Sequence, residues 1–397
     1  MTTNRYNIII IGAGIAGLAA AISLRTRTRT ILLLEQSPLN TEIGATISLQ
    51  PNASKIVLQR WNLASLLAPH SMTDTAFEVY NLAGELKTHV PLSSSKEKYG
   101  AERMIYHRQD LHSVLKHRTT AQEYPGDPAT LWTGRRVVSV NCEEGIVEME
   151  SGEKVYGDLI IGADGIKSVV RGCVLGREVQ ARTTGWSAYR MMVDMEDLVR
   201  NEGFVGVVDP RVCQTVMVVG DGRRRIIMGP ARGGKVYSVV ALVADEKGEV
   251  RKGTSWVTAG DRGMMLDTFG DFPEWATAPL RLARGRGRVI LIGDAAHAML
   301  PTQGQGGSQA IEDAEALGAF FEGFEAGRWR REDVERVNRE VFECRFTRAS
   351  TIQEYSRLAG GEEDGAKVAM NPREFMDYNC LYEGAVEWRR RQGVVHA

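Results

Sequence analysis

The chain opens on an unbroken β-branched run, Ile8-Ile9-Ile10-Ile11, the pattern of a strand buried on both faces. Gly12 and Gly14 interrupt it, and residues 14–24, rich in Ala and Leu, follow as a predicted helix. Thr30-Ile31-Leu32-Leu33-Leu34 reads as a second buried strand, ending at Glu35. Strand, glycine turn, helix and strand open a doubly wound parallel sheet. Ile8 to Leu24 is apolar enough to suggest a membrane span, but its glycines and the following Arg25 argue against one. A spanning helix needs roughly 20 consecutive apolar residues.

Further along, the spacing predicts a helix over 52–67, with Asn52 as a candidate cap and Ile56, Val57 and Trp61 on one face. Short strand-like pieces such as Phe77-Glu78-Val79-Tyr80 occupy 74–103, and 109–118 returns to helical spacing. Alternation at 137–140 and 145–149 predicts antiparallel strands that lead into the buried run Leu159-Ile160-Ile161. Strand candidates at 186–193, 204–208, 214–219, 225–228 and 236–243 suggest a second, mainly antiparallel unit inserted into the first. Val289-Ile290-Leu291-Ile292 resumes the buried pattern, before a glycine-rich loop and a helix to about 321. The charged segments 330–360 and 375–392 read as helical, and Arg25 to Thr30 reads as a solvated turn.

At 397 residues the chain exceeds one ordinary core, so two packed units are expected. A formal net charge of -1 gives no support for nucleic-acid or polybasic membrane binding. The five cysteines are scattered, without metal-ligand spacing or a disulfide framework. Asn4 and Arg5 lead straight into the first strand without a signal-peptide pattern, so a cytoplasmic location is expected.

Three glycine turns carry the candidate chemistry. Gly12-Ala13-Gly14-Ile15-Ala16-Gly17 joins strand to helix. Gly12 permits the turn, Gly14 the approach of a pyrophosphate, and Gly17 close helix–strand packing. The backbone of Ile15 and Ala16 opens the helix, whose N-terminus favours phosphate. Glu35 lies where a carboxylate accepts from ribose hydroxyls. The second turn is Gly162-Ala163-Asp164-Gly165, and the third runs from Gly293-Asp294-Ala295-Ala296-His297 through Pro301 to Gly304-Gln305-Gly306-Gly307. Both follow buried strands and place an acid where open α/β sheets bind ligands; an Asp capping the next helix is the plainer explanation of either one.

As a set, these motifs resemble those of the group A FAD-dependent aromatic monooxygenases, the salicylate hydroxylase-like enzymes of the p-hydroxybenzoate hydroxylase fold, from residue 7 to about 320. The resemblance implies an α/β, doubly wound FAD-binding domain (1–73, 104–175 and 281–345), an antiparallel substrate domain (74–103 and 176–280) and a helical C-terminal segment (346–397). It implies that Asp294 accepts from the flavin ribityl chain and that Gly304, Gln305, Gly306 and Gly307 face the pyrimidine edge of the ring, which becomes negative on reduction. Pro301 would shape the backbone over the flavin, Arg108 would contact the cofactor, and Gly44-Ala45-Thr46-Ile47-Ser48 would lie along it. Asp164 would support structure near the pyrophosphate; Tyr189 and Arg190 match the family's pocket pair. His297 belongs to the motif and is not expected to act as a base. Where relatives carry Tyr-Pro, this chain has Met228-Gly229-Pro230, so a pocket tyrosine is not expected there.

The implied reaction uses FAD, NADH or NADPH and O2 to hydroxylate or epoxidise an electron-rich small molecule, a secondary metabolite included, through a flavin C4a-hydroperoxide. An FAD-dependent oxidase or dehydrogenase shares fold and cofactor. A non-enzymatic prenyl-protein escort of the Rab GDI kind shares the opening motif, and the 293–307 motif argues against it. No WxWxIP segment supports a flavin halogenase.

Overall fold

A computed structural model describes residues 5–38, 46–81, 85–177, 186–200, 202–205, 208–219, 224–244, 289–291, 304–322, 331–358 and 370–392. The apolar runs form a five-stranded sheet in the order Val289–Leu291, Leu159–Gly162, Tyr6–Ile11, Arg29–Leu34, Thr130–Trp132, with every pairing parallel. Its centre is dry, with Ile10, Leu33, Leu159 and Ile161 fully buried. The Ile15–Leu24 helix covers one face together with the Gly306–Phe320 helix, through Leu18, Ile311, Leu317 and Phe320. Burying side chains of this size stabilises by about 1.5–3 kcal/mol each. A three-stranded antiparallel sheet, Val137–Asn141, Ile146–Met149 and Lys154–Tyr156, supports the other face through Val140, Val147 and Met149.

The second unit is a six-stranded sheet in the order Trp186–Asp194, Val236–Ala244, Arg224–Ala231, Thr215–Val219, Ala76–Tyr80, Leu86–Pro91. Its pairings are antiparallel except Thr215–Val219 with Ala76–Tyr80. The edge strand Leu86–Pro91 is exposed throughout, and Lys87 and Pro91 blunt it against further pairing.

Several expectations need correction. The 52–67 helix breaks into Pro51–Lys55, a π-helical turn Ile56–Arg60, and Ala64–Leu67, with Asn62 at φ 54 between them. Gln50, not Asn52, occupies the cap position; Asn52 is fully buried and donates to Glu312. Within 204–208, Phe204 and Val205 close a helical turn, Glu202–Val205, instead of a strand. The segment 375–392 is two helices, Pro372–Cys380 and Ala385–Arg391. The charged segment 330–360 forms one helix, Arg331–Leu358, over its described residues.

Arg25 to Thr30 is not a solvated turn, since Arg25 and Arg29 are buried. Arg25 donates to the carbonyls of Arg118, Thr119, Ala121, Tyr124 and Gly126, closing the carboxyl end of the Arg108–Thr120 helix. Arg29 donates to the carbonyls of Leu24 and Phe321. Guanidinium forks satisfy groups that the helix ends leave bare.

Candidate active site

The strand order brings the first two glycine turns together, beside the strand that precedes the third in sequence. Val289–Leu291, Leu159–Gly162 and Tyr6–Ile11 are consecutive neighbours, all parallel, so the turns that begin at Gly12 and Gly162 leave one edge of one sheet. Gly12 has φ 100, and a Cβ there would stand 2.3 Å from the Ala163 carbonyl oxygen. The first and second turns therefore touch backbone to backbone. At Gly17 a Cβ would stand 1.9 Å from the Gly12 carbonyl oxygen, which fixes the helix against the turn.

At Gly14, by contrast, a Cβ would meet nothing within 4 Å. Gly14 is the cap of the Ile15–Leu24 helix, with no side chain capping it and no acid in its first turn. An open approach to uncapped N–H groups around Ile15, Ala16 and Gly17 suits a pyrophosphate. Glu35 accepts from the backbone N–H groups of Ala13 (2.9 Å) and Ser37 (2.8 Å), which clamps the acid beneath the turn. Remaining carboxylate lone pairs suit ribose hydroxyls. The residues present fit an adenine dinucleotide.

Asp164 is committed locally. It accepts from Ser168 Oγ (2.6 Å), Val169 N (2.7 Å) and Val170 N (3.2 Å), capping the Val169–Leu175 helix with Ser168. Burial raises its pKa, and these hydrogen bonds oppose the rise. Capping thus accounts for this acid. Asp294, Pro301, Gly44 and Ala45 lie outside the described residues.

Thr46–Leu49 pairs with Met104–His107, setting Thr46 opposite His107 and next to Arg108, the first residue of its helix. His112 of that helix lies 2.7 Å, Nε2 to oxygen, from the Ala13 carbonyl, joining it to the first turn. The 304–307 loop lies on the same strand. A Cβ at Gly304 would be 3.2 Å from Ser48 Oγ, and one at Gly307 would be 2.9 Å from Ile47 Cδ1. Gln305 is buried at the cap of the Gly306–Phe320 helix. Ser48, Gly304, Gln305, Gly306 and Gly307 are therefore gathered at one place.

The six-stranded sheet meets this place with one face. Thr46 Oγ1 donates to Ser238 Oγ at 2.8 Å. Arg232, in the turn before Val236–Ala244, bonds Asp110 and Gln109 of the Arg108–Thr120 helix. Burial and then Arg232 lower the pKa of His107 beneath this contact, against Asp110. Opposed residues of neighbouring strands share a face. Ser238 pairs with Met192 and Gly229, and Val240 pairs with Arg190 and Ile227. Arg190 thus holds a register position on the Ser238 face. Tyr189 pairs with Ala241 and belongs to the opposite face, with Tyr237. Met228 pairs with Val239, also on that opposite face.

Sequence reasoning missed a buried ionic cluster behind the 304–307 loop. Glu312 of the Gly306–Phe320 helix accepts from Arg345, Arg348 and Asn52, while Asp313 accepts from Arg345. Arg345 also donates to Gln309, one turn from Gln305. Burial would raise the pKa of Glu312, but Arg348 and Arg345 outweigh it and the net direction is down. The available signal was two acids inside the apolar run Ala310-Ile311-Glu312-Asp313-Ala314, and two arginines three apart at Arg345 and Arg348. Arg103 and Asp74, at the junction of the two sheets, were missed as well.

Comparison with known proteins matches this geometry. Residues 10–41 match an NAD(P)-binding Rossmann-like domain and residues 271–335 an FAD binding domain. The FAD-dependent monooxygenase cfoG of Aspergillus candidus is 30% identical, over 98% of this chain and 92% of that protein. The chain belongs to the FAD-dependent aromatic monooxygenase family. It is an FAD-dependent monooxygenase that uses FAD, with NAD(P)H and O2 as co-substrates. The 3-hydroxybenzoate 6-hydroxylase 1 of Aquipseudomonas alcaligenes is 30% identical, over 95% of this chain and 97% of that protein. Hispidin-3-hydroxylase of Neonothopanus nambi is 30% identical over 80% and 81%. The fold matches CtdE solved with FAD and a substrate, with a TM-score of 0.74 and 22% identity, covering 98% of each chain. Among the described residues no helix is long and apolar enough to cross a membrane.

Proposed function

We propose that this monooxygenase hydroxylates or epoxidises an aromatic or similarly electron-rich small molecule bearing an ionisable oxygen, a secondary metabolite included. The observation that carries the reading is the meeting of two surfaces. The edge that gathers the glycine turns and the 304–307 loop stands against the Ser238 face of the six-stranded sheet. On that face Phe77, Met217, Ile227 and Val240 supply an apolar wall around the register position of Arg190.

Bound FAD, reduced by NADH or NADPH, supplies the activation of O2 from which one oxygen atom passes to the substrate. Gly14, Ile15, Ala16 and Gly17 hold the pyrophosphate and Glu35 the ribose. Asp294 holds the ribityl chain, Arg108 contacts the cofactor, and Gly44, Ala45 and Ser48 line it. The backbone at Gly304 to Gly307 faces the pyrimidine edge, where a helix N-terminus favours negative charge, and Pro301 shapes the loop above. Arg190 holds a phenolate or carboxylate of the substrate, an ion pair strengthened as the cleft excludes water. Tyr189, on the far side of its strand, is not needed for this. The enzyme is read as cytoplasmic.

Two relatives carry aromatic substrates in their names, 3-hydroxybenzoate and hispidin, which supports a phenolic class. A panel of phenolic, indolic and polyketide compounds, scored by acceleration of NAD(P)H oxidation, tests this reading. Acceleration by an anionic phenol is expected; acceleration only by compounds lacking an ionisable oxygen would sink it.

A further inference from the structure

We propose that Arg103 is a positioning residue that ties the substrate sheet to the flavin-side strand and so sets how tightly the cleft between them closes. The proposal rests on the flavin reading above.

Arg103 immediately precedes the Met104–His107 strand and is almost fully buried. Its Nη1 donates to Asp74, whose side chain has no exposed surface, and to Thr215 Oγ1 at 2.9 Å. Its Nη2 donates to Ser48 Oγ at 3.1 Å. Asp74 in turn accepts from Thr215 Oγ1 (2.6 Å) and Thr215 N (3.1 Å). Thr215 begins a strand of the six-stranded sheet, on the face shared with Ser238. Ser48 is the residue against which Gly304 rests. One guanidinium therefore spans the substrate sheet, the fixed Asp74 carboxylate and the strand beneath the 304–307 loop.

A planar fork is required for this, because donors must leave in two directions from one rigid group. A lysine ammonium keeps the charge for Asp74, but a single nitrogen cannot reach both ends in that geometry. The pair is also poor value as a stabiliser, since burying two charges costs about what their attraction returns. A register role fits its geometry better. The other described links between the two sides are one neutral hydrogen bond, Thr46 to Ser238, and the exposed contacts of Arg232 with Asp110 and Gln109.

The test uses the FAD-loaded full chain and the variants Arg103→Lys, Thr215→Val and their combination, with Arg135→Lys in an exposed ion pair as control. FAD affinity, thermal midpoint and iodide quenching of bound-flavin fluorescence are measured. We expect Arg103→Lys to keep the parent FAD affinity while quenching rises severalfold, because the cleft loosens. Thr215→Val should do the same in part, because it removes the hydroxyl that Arg103 and Asp74 share, and the double variant should be no worse than Arg103→Lys alone. Quenching equal to the parent, or a rise only in step with lost FAD affinity and a lowered thermal midpoint, would overturn the proposal. A parent chain that binds no FAD would instead fail the functional reading itself.

Discussion

Arg348 grips Glu312 through two parallel hydrogen bonds, Nε to Oε2 and Nη2 to Oε1, each 2.8 Å long. Arg345 reaches the same carboxylate at 2.6 Å, so one fully buried acid binds two helices together. Its third partner, Asn52, follows the strand that lies along the 304–307 loop. Removing one member leaves uncompensated buried charge.

Glu312→Gln should therefore destabilise the fold by about 3–5 kcal/mol, read by urea unfolding. The pH dependence follows from the lowered pKa of Glu312, set by Arg348 and Arg345 against burial. Its contribution is present above the ordinary glutamate value and is lost as pH falls through the lower folded value. The wild-type chain should lose this increment on acidification. Glu312→Gln should lack that part of the acid slope, and an identical slope would refute the assignment.

Gly14 and Gly17 should separate binding from folding. Gly14→Ala adds a methyl to open space, so thermal stability should hold while FAD affinity falls at least about tenfold, a change of about 1.4 kcal/mol. Gly17→Ala forces a carbon against the Gly12 carbonyl and should destabilise the fold by about 1–3 kcal/mol. Equal effects of both on stability, with FAD binding intact in Gly14→Ala, would contradict the pyrophosphate cradle.

Much of the sheet was legible in the sequence because buried parallel strands have no polar face. The runs at 8–11, 31–34 and 159–161 could pack only as interior strands, and the glycines after the first and the last marked the edge. What stayed hidden was long-range and polar. Nothing local to Arg25 shows that it closes a helix ending nearly a hundred residues later. Nothing local to Glu312 names Arg345 and Arg348 as partners. Helix spacing also misled at 52–67, where a π turn shifts the apolar face. At Asp164 the carboxylate caps the helix that follows it, one of the two roles the motif left open.

Arg25→Ala strips a donor fork from carbonyls at the end of the Arg108–Thr120 helix. A loss of about 2–3 kcal/mol is expected, given hydrogen bonds to a charged donor and carbonyls left buried. Thermal unfolding with FAD present and absent measures it. A neutral outcome would restore the view of this segment as a solvated turn.

Arg190→Ala and Asp294→Ala should fail differently. The first should retain bound flavin and lose substrate-stimulated NAD(P)H oxidation by about 10²-fold or more, as expected when the charge partner of the substrate is removed. The second should purify with little flavin. Unchanged stimulated turnover in Arg190→Ala would move substrate recognition elsewhere on the sheet.

The most direct test of the account is turnover under isotopically labelled O2, with the cofactor released from the purified chain by denaturation. The account predicts released FAD and one labelled oxygen atom in the product for each NAD(P)H coupled to it. FAD with an oxidised product free of label would make the chain an oxidase or dehydrogenase, and a protein with no flavin to release would contradict the site itself.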